Sequence, residues 1–246
     1  LLDTGAHTFQ IISFPENAPD QLVTHATGRI KTLDRTTPVV DFAAIQARCS
    51  EAVEPTRVYE LIRDVHIDLG PTFRWFNQIG RGKGEALAQL SIPAAIATVA
   101  GYQLFPSLID ACFQLPAALR VRANGDEAAV RELRVMPFAV ESFRVYQTTN
   151  HQDLWCHIQQ VEEQQWNIQL LTRQGEVVAT MDGFRVREAP VEAVYTRDIW
   201  KEWLYTIGWQ EAALAAATRA VTPSTAVDAR LSQPWLIFAD AKGVGE

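Results

Sequence analysis

The stretch Phe105-Pro-Ser-Leu-Ile-Asp-Ala-Cys-Phe-Gln-Leu115 decides how the rest of the chain must be arranged. Leu108, Ile109, Ala111, Cys112, Phe113 and Leu115 make it apolar on nearly every side, the mark of a buried segment rather than a surface helix with one wet face. Its polar side chains, Ser107, Asp110 and Gln114, are spaced three and then four residues apart, so on a helix they form one stripe. Pro106 suits the first helical turn, and Pro116 ends or kinks the segment. A carboxylate on such a helix has to be paired, protonated or facing a cavity, because an isolated buried charge is too costly. Two readings of Asp110 stand open on these residues alone. Ser107-Leu-Ile-Asp110 fits a capping box with Ser107 as N-cap. Alternatively Asp110 is a functional carboxyl, with Gln114 one turn on to hold and orient it.

Downstream, Arg120 to Glu127 reads as a polar loop, followed by strands at Leu133 to Tyr146 (broken near Pro137), Leu154 to Val161, Trp166 to Thr172 and Val177 to Arg187. Gln174-Gly175 supplies the turn between the last two. One apolar helix followed by consecutive long strands predicts an α+β fold in which an antiparallel sheet wraps a single helix. Upstream, Pro55 to His66 has helical spacing at Val58, Leu61, Ile62 and Val65, Gly70-Pro71 stops it, and Gly84 to Ile92 is a strand. Residues 34–54 form a connector with a short helix at Asp41 to Ala47 and a polar link from Ser50 to Pro55. Thr8 to Phe14 and Leu22 to Ile30 read as two strands of a sheet whose other strands are missing. His25 lies on the second of them as a structural or exposed residue, and His66 and His151 read as exposed or capping. Residues 190–233 are a docking segment and linker. Trp235-Leu-Ile-Phe-Ala-Asp240 is a buried-type strand running into Gly243-Val-Gly245, a weak dinucleotide signal without a third glycine.

The 246 residues are 48% hydrophobic and 21% charged, a globular balance, and a formal charge of −7 is the wrong sign for a nucleic-acid-binding surface. No stretch approaches the roughly 20 apolar residues of a membrane span. The three cysteines, Cys49, Cys112 and Cys156, are widely spaced, which predicts a reduced, cytoplasmic setting without disulfides and without a metal cluster. The chain opens on Leu1-Leu2-Asp3-Thr4, with neither Met nor signal peptide, as if cut from something longer.

Taken in order, four motifs resemble the dehydratase domain of modular type I polyketide synthases. Leu104-Phe-Pro-Ser-Leu-Ile-Asp110-Ala-Cys-Phe-Gln114 is similar to that family's L-H-P-A-L-L-D-A-x-x-Q, and Leu69-Gly70-Pro71-Thr72-Phe73 to its Y-G-P-x-F. Met136-Pro137-Phe138 through Phe143-Arg144-Val145-Tyr146 resembles its L-P-F…V-R-L-Y, and Gly175 to Arg187 its closing hairpin. Leu204 to Gln210 and Trp235 to Asp240 resemble the start of a ketoreductase structural subdomain. The resemblance implies a double hot-dog fold: residues 1–33 as the remnant of the first hot dog, 34–54 the connector, 55–189 the second hot dog, 190–233 a linker and 234–246 the start of the ketoreductase region. It implies loss of water from a β-hydroxyacyl chain carried on the phosphopantetheine of an acyl carrier protein, with no bound cofactor and no metal. A His of the first hot dog would take the α-proton, Asp110 would protonate the departing hydroxyl, and Gln114 would hydrogen-bond Asp110. Leu69, Gly70, Pro71, Phe105 and Pro106 would contact substrate. The implied partners are the carrier protein and the ketoreductase, and a homodimer through the parent synthase stays open.

The family's H-x-x-x-G-x-x-x-x-P has no match here: His7 is followed by Ile11 where glycine is required. The expectation is that this polypeptide does not dehydrate alone. Phe105 stands where the family has His, and Leu69 where it has Tyr. Two other hypotheses remain: a non-catalytic dehydratase-like structural domain, and a stand-alone hot-dog thioesterase or acyl-binding protein, against which the trailing WLIFAD strand counts. Trp155 and Trp166 read as core, with tunnel lining the lesser alternative, and Arg185 and Arg187 as a solvated edge.

Overall fold

An apolar helix needs walls on every side, and eight strands supply them. A computed structural model describes residues 1–15, 20–33, 36–121 and 135–188. The chain divides into one unit, Leu1–Asp198, and a second, Ile199–Glu246, which lies wholly outside the described residues. So do the expected linker at 190–233, the ketoreductase-like stretch and most of the loop after Arg120.

Strands β1 (Leu2–Asp3), β2 (Thr8–Ser13) and β3 (Val23–Arg29) pair antiparallel in a three-stranded sheet. Then follow α1 (Phe42–Arg48), β4 (Glu51–Val53), α2 (Pro55–Asp64), a 3-10 turn (Pro71–Phe73), β5 (Phe76–Gly82) and β6 (Glu85–Leu90). The central helix α3 (Pro106–Gln114) runs directly into a 3-10 stretch (Leu115–Arg120). Strands β7 (Val135–Ala139), β8 (Ser142–Val145), β9 (Leu154–Glu162), β10 (Gln165–Thr172) and β11 (Val177–Glu188) follow it. The second sheet is eight-stranded and antiparallel, in the order β4-β5-β6-β9-β10-β11-β7, with β8 also paired to β11. This is a hot-dog fold, α+β, the sheet curled around α3.

Period-two alternation sorts the side chains. Ala86, Ala88 and Leu90 of β6, Cys156 and Ile158 of β9, and Ile168 and Leu170 of β10 pack inward with Leu108, Ala111, Cys112 and Leu115 of α3. The facing residues are small where the helix comes closest: Cys112 meets Cys156, both thiols are free, and burial together with Cys112 pushes the Cys156 thiol up. Residues of the opposite parity, including Leu87 and Leu171, build a second cluster on the outer face with Ile45 and Cys49 from α1 and its C-cap.

Helix α1 is seated there by two features. Gly80 and Gly82 of β5 admit its C-terminus, since a Cβ at Gly80 would lie 2.2 Å from the Cys49 carbonyl oxygen and one at Gly82 would lie 2.4 Å from that of Arg48. Glu85 then clamps it: Arg48 donates through Nε (2.7 Å) and a terminal nitrogen (3.0 Å) to its two carboxylate oxygens, and His157 Nε2 lies 2.9 Å from Oε2.

Several expectations are corrected. Ser107 is not an N-cap: Phe105 holds that position, and Ser107 sits inside the helix with its hydroxyl bonded elsewhere. The polar link after α1 contains β4, an edge strand paired with β5. Strand β5 is not among the expected elements, because Phe76-Asn-Gln-Ile-Gly-Arg-Gly82 carries two glycines where strand formers are the usual signal. Pro137 lies within β7 rather than breaking it, which its edge position allows, and the interruption falls at Val140–Glu141. The α1 helix begins one residue later than expected because Asp41 is its N-cap, accepting from the Ala44 N–H at 3.0 Å.

Arg48, first, and His157 hold the Glu85 carboxyl below the ordinary carboxylate range. A folded-state pKa that is depressed contributes stability present above the unfolded value and lost as pH falls through the folded one. Glu85→Gln is therefore expected to lower unfolding stability by about 2 kcal/mol at pH 7, discounted from a fully buried pair because Arg48 is half exposed. Urea denaturation from pH 7 down to ~3 should show that difference closing below the ordinary carboxylate pKa of about 4.3. An undiminished difference at the acid end would rule the clamp out.

Candidate functional site

The 3-10 turn that follows α2 is a device for presenting carbonyls. Pro71 fixes the backbone, the Phe73 N–H closes on the Gly70 carbonyl at 3.0 Å, and Arg74 Nε donates back to the Leu69 carbonyl at 3.0 Å. The Thr72 carbonyl accepts from the Ser107 hydroxyl at 2.8 Å, and that hydroxyl in turn accepts from Trp75 Nε1 at 2.9 Å. The Phe73 carbonyl accepts from Gln114 Nε2 at 3.3 Å. Two consecutive carbonyls of one turn thus engage two of the three polar side chains on α3. A Cβ at Gly70 would meet nothing within 4 Å, so the turn depends on Pro71 more than on bareness at Gly70.

The third polar side chain is Asp110. Gln114 Nε2 also donates to Asp110 Oδ2 at 2.7 Å. Burial raises the Asp110 pKa above the usual aspartate value, and the Gln114 hydrogen bond opposes that rise. The capping-box reading falls with this geometry, since Asp110 answers Gln114 and no helix-terminal N–H. Asp110 and Gln114 border a cavity of about 170 Å³ whose wall is otherwise mostly apolar, with Leu61 and Ile62 of α2, Phe113 of α3 and Trp166 of β10. Arg120 is the other ionisable group on that wall among the described residues.

Of the expected substrate contacts, Leu69 lines this cavity with Asp110 and Gln114. Gly70 and Pro71 stay in the turn behind it. Phe105 and Pro106 face a separate, open hollow with Ile96 and Tyr102, where the Phe105 ring meets Tyr102 edge-on at 5.1 Å. Trp166 serves both core and cavity wall. Trp155 belongs to the outer cluster, edge-on to Phe42 at 5.2 Å.

His151, expected to be exposed or capping, is the second of these: it is 2% exposed, and its Nε2 accepts the Phe105 N–H at 3.0 Å, satisfying an amide at the N-terminus of α3 from a loop 46 residues away. Its φ of 63° is a local sign of an unusual role, and that is not visible in a sequence. Cys49, Glu85 and His157 on the outer face place a sulfur, a carboxylate oxygen and an imidazole nitrogen within 4.8 Å of one another. They do not suit a metal ion: Arg48 already holds both Glu85 oxygens, and burial pushes the Cys49 thiol up to about 11, away from the thiolate that binds metals.

Fold and site together define a hot-dog protein with a desolvated carboxyl on its central helix. Residues 37–195 match the family model described as polyketide synthase dehydratase N-terminal domain, and the chain belongs to that family. It is 34% identical over 143 residues to the pikromycin polyketide synthase component PikAII of Streptomyces venezuelae, a match covering 56% of this chain and 4% of that protein. The dehydratase domain from the CurJ module of curacin polyketide synthase is similar at 31% identity and a TM-score of 0.64, over 76% of this chain and 65% of that one. Two variants of the CurK dehydratase, a His→Phe and an Asp→Asn form both described as inactive, are 26% identical with TM-scores of 0.64 and 0.65. They cover 76% and 75% of this chain and 65% and 64% of theirs. The chain therefore spans a small part of its curated relative and about two thirds of the solved domains. No helix of the described residues is long and apolar enough to cross a membrane.

Burial lowers the His151 pKa, so the neutral ring that accepts from Phe105 is the folded form. A depressed folded pKa contributes stability that is complete above the unfolded value of about 6.5 and is lost as pH falls below it. His151→Gln is expected to flatten the decline in thermal midpoint between pH 7 and ~5 seen in the unsubstituted chain. Identical slopes for both chains would show that His151 does not titrate in this way.

Proposed function

We propose that this chain forms the second, acid-bearing half of a polyketide synthase dehydratase domain, and that Asp110 protonates the hydroxyl leaving a β-hydroxyacyl thioester. The observation that carries the reading is a carboxyl group on a core helix, opening on an apolar cavity with its pKa raised by desolvation. An aspartic acid at its solution value of about 3.9 has no proton to give near neutrality, and burial moves it in the direction an acid catalyst needs. In the reaction the α C–H and β C–O bonds break, the α,β double bond forms, and the hydroxyl leaves as water with the Asp110 proton. The α-proton goes to a base, a His from the other half of the domain. The two inactive CurK variants, one at a His and one at an Asp, support a pair of this kind.

On this reading residues 1–33 end the first hot dog, 34–54 connect, 55–189 are the second hot dog, 190–233 are linker and 234–246 begin the ketoreductase region. The substrate arrives on the phosphopantetheine of an acyl carrier protein, no cofactor is bound, and the neighbouring ketoreductase is a partner within the synthase. Leu69, Gly70, Pro71, Phe105 and Pro106 form or support the substrate wall. The chain alone does not dehydrate. A second reading, a dehydratase-like domain with an architectural role, is favoured by Phe105 and Leu69 standing where the family motifs have His and Tyr.

The test compares three samples on a β-hydroxyacyl carrier-protein thioester: this chain, the same chain joined to its preceding half-domain, and the joined form carrying Asp110→Asn. The joined form should release water, and Asp110→Asn should slow it about a hundred- to ten-thousand-fold. Its rate should also fall on the alkaline side as Asp110 loses its proton. An unchanged rate for Asp110→Asn would remove Asp110 from the mechanism, an inert joined form would favour the architectural reading, and turnover by the chain alone would overturn the half-domain assignment.

A further inference from the structure

Gln114 presents a puzzle if Asp110 is an acid. A donor on a carboxylate stabilises the ionised form, so the Gln114 hydrogen bond works against the raised pKa that the chemistry wants. Its value must lie elsewhere. A protonated carboxyl has one hydroxyl oxygen and one carbonyl oxygen, and only the hydroxyl oxygen can pass a proton on. If that hydroxyl faced the Gln114 amide oxygen, the proton would be given to the protein and not to a substrate.

The geometry points to Phe73 as a positioning residue: we propose that its backbone carbonyl fixes the sense of the Gln114 amide and thereby keeps the acid proton of Asp110 on Oδ1, the oxygen with exposed area beside the cavity. The inference rests on the acid reading of Asp110 and adds a role for the Leu69–Phe73 turn. Gln114 Nε2 has two hydrogens, and both are used, one on the Phe73 carbonyl at 3.3 Å and one on Asp110 Oδ2 at 2.7 Å. Rotating the amide by half a turn would set its oxygen against the Phe73 carbonyl oxygen, two acceptors facing each other in a buried site. It would also move both N–H donors to the place where Oε1 now lies buried without a partner. Two stranded donors and an acceptor clash are worse than the one unpaired acceptor of the observed sense.

With the amide so held, Oδ2 always faces a donor and takes the carbonyl role when Asp110 is protonated. Oδ1 has no hydrogen-bond partner among the described residues and is not one of the fully buried unpaired polar atoms, so it keeps exposed area on a residue that borders the cavity. The other elements that border this cavity bring no competing carboxylate: α2 contributes Leu61 and Ile62, β7 contributes Val135, Met136 and Pro137, and Arg120 is the one further ionisable group among the described residues. The turn and the helix thus act together, the carbonyl of one orienting the amide of the other.

Solution NMR of the unsubstituted chain tests this without turnover. The Asp110 carboxyl carbon is followed through its titration while the two Gln114 side-chain amide protons are monitored. Both amide protons are expected to stay protected from solvent exchange and separately shifted on the two sides of the Asp110 midpoint. Loss of their protection when Asp110 takes up its proton would mean that the amide turns over, and would overturn the proposal. Gln114→Glu provides the second arm, since it keeps the shape but replaces the Nε2 donor with oxygen. The Phe73 carbonyl then demands the proton of the introduced carboxyl, Oδ2 faces an acceptor, and the Asp110 midpoint should move upward. A midpoint that does not rise counts against the lock. The dehydration rate of Asp110→Asn in the joined domain separates the two ideas: a turning amide beside a rate that still collapses removes the lock alone, whereas an unchanged rate removes the acid reading itself.

Discussion

A helix without a wet face has to find every hydrogen-bond partner inside the protein, and that constraint shapes the whole of this fold. The α3 segment presents Leu108, Ala111 and Cys112 to the curled sheet and stacks Phe113 on Phe184 of β11, so its polar groups cannot reach water freely. They are met one by one: Ser107 by the Thr72 carbonyl, Gln114 by the Phe73 carbonyl, and the Phe105 amide by His151. Asp110 is the group whose second oxygen is left over. A carboxyl oxygen is left over here beside the unpaired Gln114 Oε1, on a helix whose other polar side chains are held by the contacts that make it possible.

The sheet's outer face obeys a parallel logic with a different outcome. Glu85 is buried too, yet Arg48 and His157 compensate it, and its pKa moves down where that of Asp110 moves up. Two desolvated carboxyls in one domain thus take opposite protonation preferences. The difference lies in whether a cation or an amide is the nearest partner. One serves to fasten α1 across Gly80 and Gly82, and the other is biased toward keeping its proton.

Much of this is legible before any coordinates. The apolar run around Asp110, its stripe of polar residues and the procession of strands from Leu154 onward carry the hot-dog architecture, and the bounds of β9, β10 and β11 lie within one residue of expectation. The misses share a cause: each feature is tertiary in origin. Strand β5 is glycine-rich because a helix terminus lies against it, so it lacks the β-branched signature that marks a strand. Ser107 resembles an N-cap in one dimension and is a cross-link to a turn in three. Even the His151 cap, expected in kind, finds its partner only when the fold brings it under α3, 46 residues away. Resemblance puts Leu69 on the pocket wall, and the cavity does include it, whereas Gly70 and Pro71 shape the turn behind that wall.

The two borders of the large sheet end differently from its centre. Strand β4 is three residues long, and β7 carries Pro137 in its middle, where one amide hydrogen is missing from the strand. An open border of a sheet is a template on which another chain can lay down a strand and begin a fibre. Wherever many copies of such a domain are tethered close together, as in an assembly-line protein, local concentration would drive that kind of fusion. Among the described residues, β4 is too short to template much at one side, and β7, which shares the other side with β8, lacks a donor at its midpoint, so both are poor templates for such a strand. The proline that breaks the strand rule inside one molecule is thus a rule of conduct between molecules.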